Sequence, residues 1–143
     1  MLGYLNDLWR YRVSDNTWTW MSGSNIVNQV GVYGEKGVAN ESNVPGAREG
    51  AAVWFDSSRQ QFWLFGGYNY ITTESYYNDM WVYRVNNATW TWVSGSDTEN
   101  QMSTKEDKDV ASAYFIPPSR AYHFVWYDNS THQVWMFGGY NGA

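Results

Sequence analysis

The sequence predicts an all-β fold built from two copies of one unit. Three observations carry this. The tract "NDLWRYRVSDNTWTWMSGS" (Asn6–Ser24) returns as "NDMWVYRVNNATWTWVSGS" (Asn78–Ser96). Laying residues 1–71 over 73–143 without a gap gives 32 identities in 71 positions, and self-similarity at a fixed period marks repeat architectures. Every apolar segment is short and strand-like, and no window shows a helical period.

The elements follow in order through the fully represented middle of the chain. A strand over Gly50–Asp56 ("GAAVWFD") meets the polar turn "SSRQ". The next, Gln61–Phe65 ("QFWLF"), is stopped by Gly66-Gly67. After the stretch "YNYITTESYY" (Tyr68–Tyr77), a third strand runs over Asp79–Val85 and turns at "NNA" into a fourth at Thr89–Ser94. Alternating β-prone runs between turn signals read as antiparallel strands. "TWTW" alternates, which puts Trp90 and Trp92 on one face and predicts a half-buried outer strand. "FWLF" does not alternate, so both its faces are expected to be covered. The recurring Trp residues are expected to form core, because repeated positions imply repeated packing.

Composition limits the partners. Net charge is −5 with a pI near 4.8, and phosphate neutralisation needs a Lys/Arg excess, so nucleic acid is not an expected partner. The chain has no Cys, which removes disulfides, thiolate metal sites and a cysteine nucleophile. No apolar run approaches transmembrane length, so no membrane partner is expected. Three Asn-x-Ser/Thr sequons, at Asn40, Asn87 and Asn129, are short enough to arise by chance and assign no compartment.

At these residues the chain resembles the kelch-repeat family of β-propellers. The matching features are the double glycine after the second strand (Gly66-Gly67, Gly138-Gly139) and a Tyr followed seven positions later by Trp (Tyr11 with Trp18, Tyr83 with Trp90). Pro-x-x-Arg before the first strand (Pro45 to Arg48, Pro117 to Arg120) also matches. The resemblance implies that each repeat makes one four-stranded blade around a channel. Residues 48–96 would be a complete blade, 1–24 the third and fourth strands of another, and 120–143 the first and second strands of a third. The period of 72 exceeds the roughly 50 of ordinary kelch repeats. Residues 25–47 and 97–119 hold the excess, and strand direction sends them to the same face as the loop Tyr68–Tyr77. That long-loop face is the expected functional surface, since binding residues concentrate on loops over a rigid scaffold.

The chain begins and ends inside the loop between second and third strands, so Ala143 and Met1 could be spliced into one such loop. Propellers close with 4–8 blades, and this sequence supplies the equivalent of two. The expectation is a head-to-tail homo-oligomer in which three or four copies give six or eight blades. An excised or engineered piece of a longer multi-blade chain is the competing reading.

Candidate binding residues fall in two groups. Arg48 and Arg120 would lie near the channel mouth, where in the resembled family arginines meet acidic peptides; alternatively they satisfy loop carbonyls or an Asp. Tyr68, Asn69, Tyr70, Tyr76, Tyr140 and Asn141 could stack on a glycan or grip a peptide, or cover neighbouring loops. Asp7, Asp56, Asp79 and Asp128 read as turn hydrogen-bonding residues, and "TKEDKD" (Thr104–Asp109) as a solvated loop. His123 and His132 lack metal-ligand spacing; neither a metal nor another cofactor is expected. Galactose-oxidase-type copper chemistry needs a cysteine-linked tyrosine and cannot be carried over. The expected function is therefore a non-catalytic binding, interaction or scaffold module.

Overall fold

A computed structural model describes residues 3–104 and 107–142. Met1 and Ala143, invoked for the splice, and residues 105–106 of the charged tract lie outside the described residues. The fold is all-β. In chain order the strands are β1 (Leu8–Arg12), β2 (Thr17–Ser22), β3 (Ala52–Asp56), β4 (Gln61–Phe65), β5 (Tyr68–Tyr70), β6 (Glu74–Tyr76), β7 (Met80–Arg84), β8 (Thr89–Ser94), β9 (Phe124–Asp128) and β10 (Gln133–Phe137). They form one four-stranded sheet in the order β3-β4-β7-β8 and three two-stranded hairpins, β1-β2, β5-β6 and β9-β10. All pairings are antiparallel. Among the described residues the sheets close into neither a barrel nor a ring.

The strand positions expected from alternation and turn residues agree with the structure to within two residues. The structure adds the hairpin β5-β6 inside the stretch that reads as loop; Tyr68 and Tyr76 pair across it, drawing β-prone aromatics into a strand pair. The four main hairpins share one device. Each turns through four residues, and the last takes a left-handed conformation: Asn16 (φ 56°), Gln60 (φ 53°), Ala88 (φ 54°) and His132 (φ 55°). The outer pair is then locked by the Ser-Gly-Ser tract. Gly95 sits at φ 80°, where a side chain would run into the Asn78 carbonyl, and the Ser96 amide donates to Asn78 Oδ1 at 3.1 Å. Ser24 and Asn6 repeat the bond at 3.0 Å.

Two burial expectations are corrected. Strand β8 is buried on both faces, because the connection after β2 folds back over it. Gly37 donates to the Trp92 carbonyl at 2.8 Å, Asn40 bridges Trp90, and Asn43 Nδ2 donates to the Trp90 carbonyl at 3.3 Å. This strap satisfies an outer edge that would otherwise invite pairing with another chain. It is therefore not simply a loop of the expected functional face. Strand β4, expected to be covered on both faces, is partly open, with Phe62 exposed beside a groove toward β1.

The tryptophans divide in the same way. Trp81, Tyr83, Trp90 and Trp92 form the core cluster, with Leu8 and Met21 of the first hairpin and Tyr33 of the strap packed on it. Their repeat equivalents are not core: Trp81 is 0% exposed and Trp9 47%, Trp90 7% and Trp18 65%. The same side chains meet covered surface in β7-β8 and uncovered surface in β1-β2. Local sequence is thus equal in the two places while tertiary cover is not.

Two polar groups of the core cluster, the Tyr83 hydroxyl and the Trp90 indole N–H, have no partner among the described residues. The Tyr83 hydroxyl is buried without a hydrogen bond, whereas its equivalent Tyr11 donates to Asn16 Oδ1 at 2.7 Å. Ala88 stands where the first repeat has Asn16, and both are left-handed. Asparagine tolerates that conformation better than alanine and would accept the orphaned proton. The substitution Ala88→Asn is expected to raise unfolding stability by about 1–2 kcal/mol, read from chemical denaturation; an unchanged or lowered midpoint would contradict this pairing.

Candidate functional site

The two arginines before the inner strands sit in related but unequal surroundings. Arg48 has a side chain only 4% exposed, paired with a fully buried Asp79. Its Nη1 donates to Asp79 Oδ1 at 2.6 Å and its Nη2 to Oδ2 at 2.8 Å, the two-pronged geometry that favours arginine over lysine. Further bonds run to the carbonyls of Gly46 (2.9 Å) and Gly66 (2.9 Å), and the guanidinium lies 4.0 Å from the centre of the Tyr77 ring. Asp79 also accepts from the Tyr33 hydroxyl at 2.7 Å and the Trp81 indole at 2.8 Å. Burial opposes the Arg48 charge, but the Asp79 carboxylate outweighs it and holds the guanidinium above its usual range. Burial, then the same carboxylate, pushes the Tyr33 hydroxyl up.

Arg48 is consequently spent inside the protein, and its candidate role as a ligand contact becomes a packing role. Asp79, read from sequence as turn punctuation, is the centre that joins strap, inner turn and β7. The signal that could have found it was present: Asp-x-Trp occurs twice, at Asp7–Trp9 and Asp79–Trp81, at the same offset as the two arginines. Arg120 repeats only part of the pattern. It donates to the carbonyls of Pro118 (3.2 Å) and Gly138 (3.0 Å) and forms no ion pair among the described residues.

The double glycine explains how these turns approach each other. Gly66 and Gly67 are at φ 66° and 110°, and side chains there would press on the Arg120 carbonyl and on Arg48 and Glu49. The Gly67 amide instead donates to the Arg120 carbonyl at 2.9 Å, tying the inner turn of one repeat to the next.

The tyrosine candidates form a row rather than an open platform. Ring centroids lie 6.2 Å apart for Tyr4–Tyr68, 4.8 Å for Tyr68–Tyr76 and 5.8 Å for Tyr76–Tyr140. Tyr76 and Asn69 are buried. Asn69 Nδ2 donates to the Ala47 carbonyl at 2.9 Å and lies 2.6 Å from the Tyr77 hydroxyl. Asn69 leaves the set of accessible candidates because its amide is engaged, and Tyr76 because its ring is packed between Tyr68 and Tyr140 with little of it exposed. Tyr70 and Tyr140 are exposed, and Asn141 lines, with Tyr76, Glu74 and Asn100, a cleft of about 260 Å³.

The remaining titratable groups behave as turn and packing residues. Asp56 accepts from the Ser58 amide and hydroxyl and from Arg59, and Asp128 from Ser130 and Thr131. These bonds hold both carboxyls below the usual range, Asp128 at about 2. His132 occupies its turn, with Nδ1 2.9 Å from the Tyr127 hydroxyl. His123 packs edge-on against Phe65 at 5.4 Å, with neither ring nitrogen hydrogen-bonded. No cluster of three or more His, Cys, Asp or Glu able to hold a metal occurs among the described residues. No protein-family model and no curated protein matches the chain.

Two outcomes follow from these geometries. Asp79→Asn leaves the Arg48 charge buried without its counter-charge and is expected to cost about 3–5 kcal/mol, measured by denaturant unfolding; a loss under about 1 kcal/mol would show that the centre is not structural. His123 supplies an acid sensitivity. Burial, then the nearby Arg120 charge, lowers its pKa from 6.5 to about 4, so the folded state keeps it neutral. Its stabilising effect is complete above pH 6.5 and is lost as pH falls toward 4, where the unfolded chain binds the proton first. Ala51 occupies the equivalent position in the other repeat. Replacing His123 by Ala should flatten stability across that window by up to about 3 kcal/mol; an unchanged pH profile would exclude His123 as its source.

Proposed function

We propose that this chain is a non-catalytic, self-assembling module of the kelch type, whose copies join head to tail into a closed β-propeller. The observation that carries this reading is the unequal burial of equal sequence. In the four-stranded sheet, β4 pairs with β7. Among the described residues its repeat equivalent β10 pairs only with β9, and β1, equivalent to β7, only with β2. Each open edge is the complement of the other, and an apolar open edge is a template for another chain. The faces beside them carry the exposed tryptophans, which is the kind of surface that marks an interaction site.

On this reading the four-stranded sheet is a complete blade, and each joint between copies builds a hybrid blade from β9-β10 of one and β1-β2 of the next. Three or four copies give six or eight blades, within the range of known propellers, and a repeated heterologous contact closes into a ring with cyclic symmetry. A peptide or glycan ligand has less support, because Arg48, Asn69 and Tyr76 are engaged internally. Native mass spectrometry is expected to show a discrete species of three or four chains at micromolar concentration. A folded monomer under those conditions would overturn self-assembly and favour edges completed by further repeats of a longer chain.

A further inference from the structure

We propose that Arg120 of one copy and Asp7 of the next form a buried ion pair at each joint, rebuilding between chains the centre that Arg48 and Asp79 make within one. This rests on the self-assembly reading and specifies which groups set the joint. The offsets agree, since 120 − 48 and 79 − 7 both equal 72. Both half-sites are already arranged. Arg120 is held by the Pro118 and Gly138 carbonyls, just as Arg48 is held by those of Gly46 and Gly66. Asp7 accepts from the Trp9 indole at 2.6 Å, as Asp79 does from Trp81 at 2.8 Å. Each half lacks what the other offers: among the described residues Arg120 forms no ion pair and Asp7 receives no guanidinium.

The surfaces around the two halves fit in the same frame. Within the chain, Trp54 and Phe65 line a narrow apolar gap of about 170 Å³ with Met80, Pro117, Val125 and Met136. Subtracting 72 from the last four gives Leu8, Pro45, Val53 and Leu64, which line a wider groove of about 480 Å³ that also reaches Asp7. Adding 72 to Trp54 and Phe65 gives Trp126 and Phe137, both exposed, with Phe137 at 71% against 4% for Phe65. Trp126 and Phe137 of one copy are therefore the side chains that fill the groove of the next. The occupant is a second copy of this chain, identified by shape, by charge and by the internal example.

The pairing register follows without adjustment. In the complete sheet Gln61 faces Arg84, Leu64 faces Trp81 and Phe65 faces Met80. At the joint this places Gln133 opposite Arg12, Met136 opposite Trp9 and Phe137 opposite Leu8. The tyrosine row extends in step, bringing Tyr140 to Tyr4 of the next copy as Tyr68 meets Tyr76.

Two measurements on the full chain separate the ion pair from assembly itself. The chain has no native cysteine, so a Gln133→Cys/Arg12→Cys variant reports the register by forming intermolecular disulfides. Arg120→Met, Asp7→Asn and the double variant are then compared by the concentration at which the assembly dissociates. Each single change should raise that concentration by about tenfold or more, since it strands one buried charge. The double change should cost much less than the product of the two, as contacting residues do in a mutant cycle. The thermal unfolding midpoint of the dissociated variants should fall only slightly, because in the single chain these side chains make a few local, solvent-accessible hydrogen bonds and no ion pair among the described residues. Cross-linking with single effects that simply multiply, or that are negligible, overturns the ion pair and leaves assembly standing. Absence of both cross-linking and oligomers overturns the joint altogether.

Discussion

The buried pair of Arg48 and Asp79 is the constraint on which the arrangement of this chain depends. Arg48 arrives from the connection before β3, Asp79 opens β7, Gly66 ends β4, and Tyr33 belongs to the strap over β8. One guanidinium and one carboxylate satisfy groups from all four. Desolvation of the two charges offsets most of their attraction, so such a pair adds little net stability compared with apolar packing. Its contribution is placement. Only one approach of strap, turn and strand leaves neither charge unpaired, and every other approach strands an ion in the interior.

Around that centre, packing follows from cover rather than from residue type. The first hairpin and the strap lie over β7-β8, and there the aromatic stripe is dry. The identical stripe on β1-β2 has no such cover and is wet. Pairs such as Trp126 and Trp135, whose rings stack with centroids 6.4 Å apart, keep their cross-strand contact in either setting, because that contact is local to the hairpin. The proposed ring would cover the wet surfaces with segments at the repeat positions of those that cover the dry ones. It would convert a chain with one satisfied sheet into an assembly in which every sheet is satisfied.

The candidate site was legible in part. Arginine before an inner strand, and tyrosine after a double glycine, stood out because both recur. Their roles were not legible, since a planar donor that binds a ligand and one that locks a turn look alike in sequence. The role of Asp79 is hidden for the complementary reason: an acidic residue at a strand entrance resembles many turn residues. What separates it is a partner 31 positions away, and no local pattern reports such a distance. The strap reads as a surface loop on the same ground, because its residues lack strand periodicity and pair with β8 at only a few backbone positions.

The sequence by itself determined the all-β class, the repeat, and the place of nearly every strand. These depend on short-range physics: alternation along a pleated strand, left-handed turn positions, and glycine where a side chain would strike a neighbouring carbonyl. The tertiary structure alone decided which copy of each repeated residue is core, which arginine is paired, and which edge is open. Those properties depend on what lies across from a residue. Two identical segments can differ in them completely, because burial and charge pairing belong to neighbours in space and not to the segment.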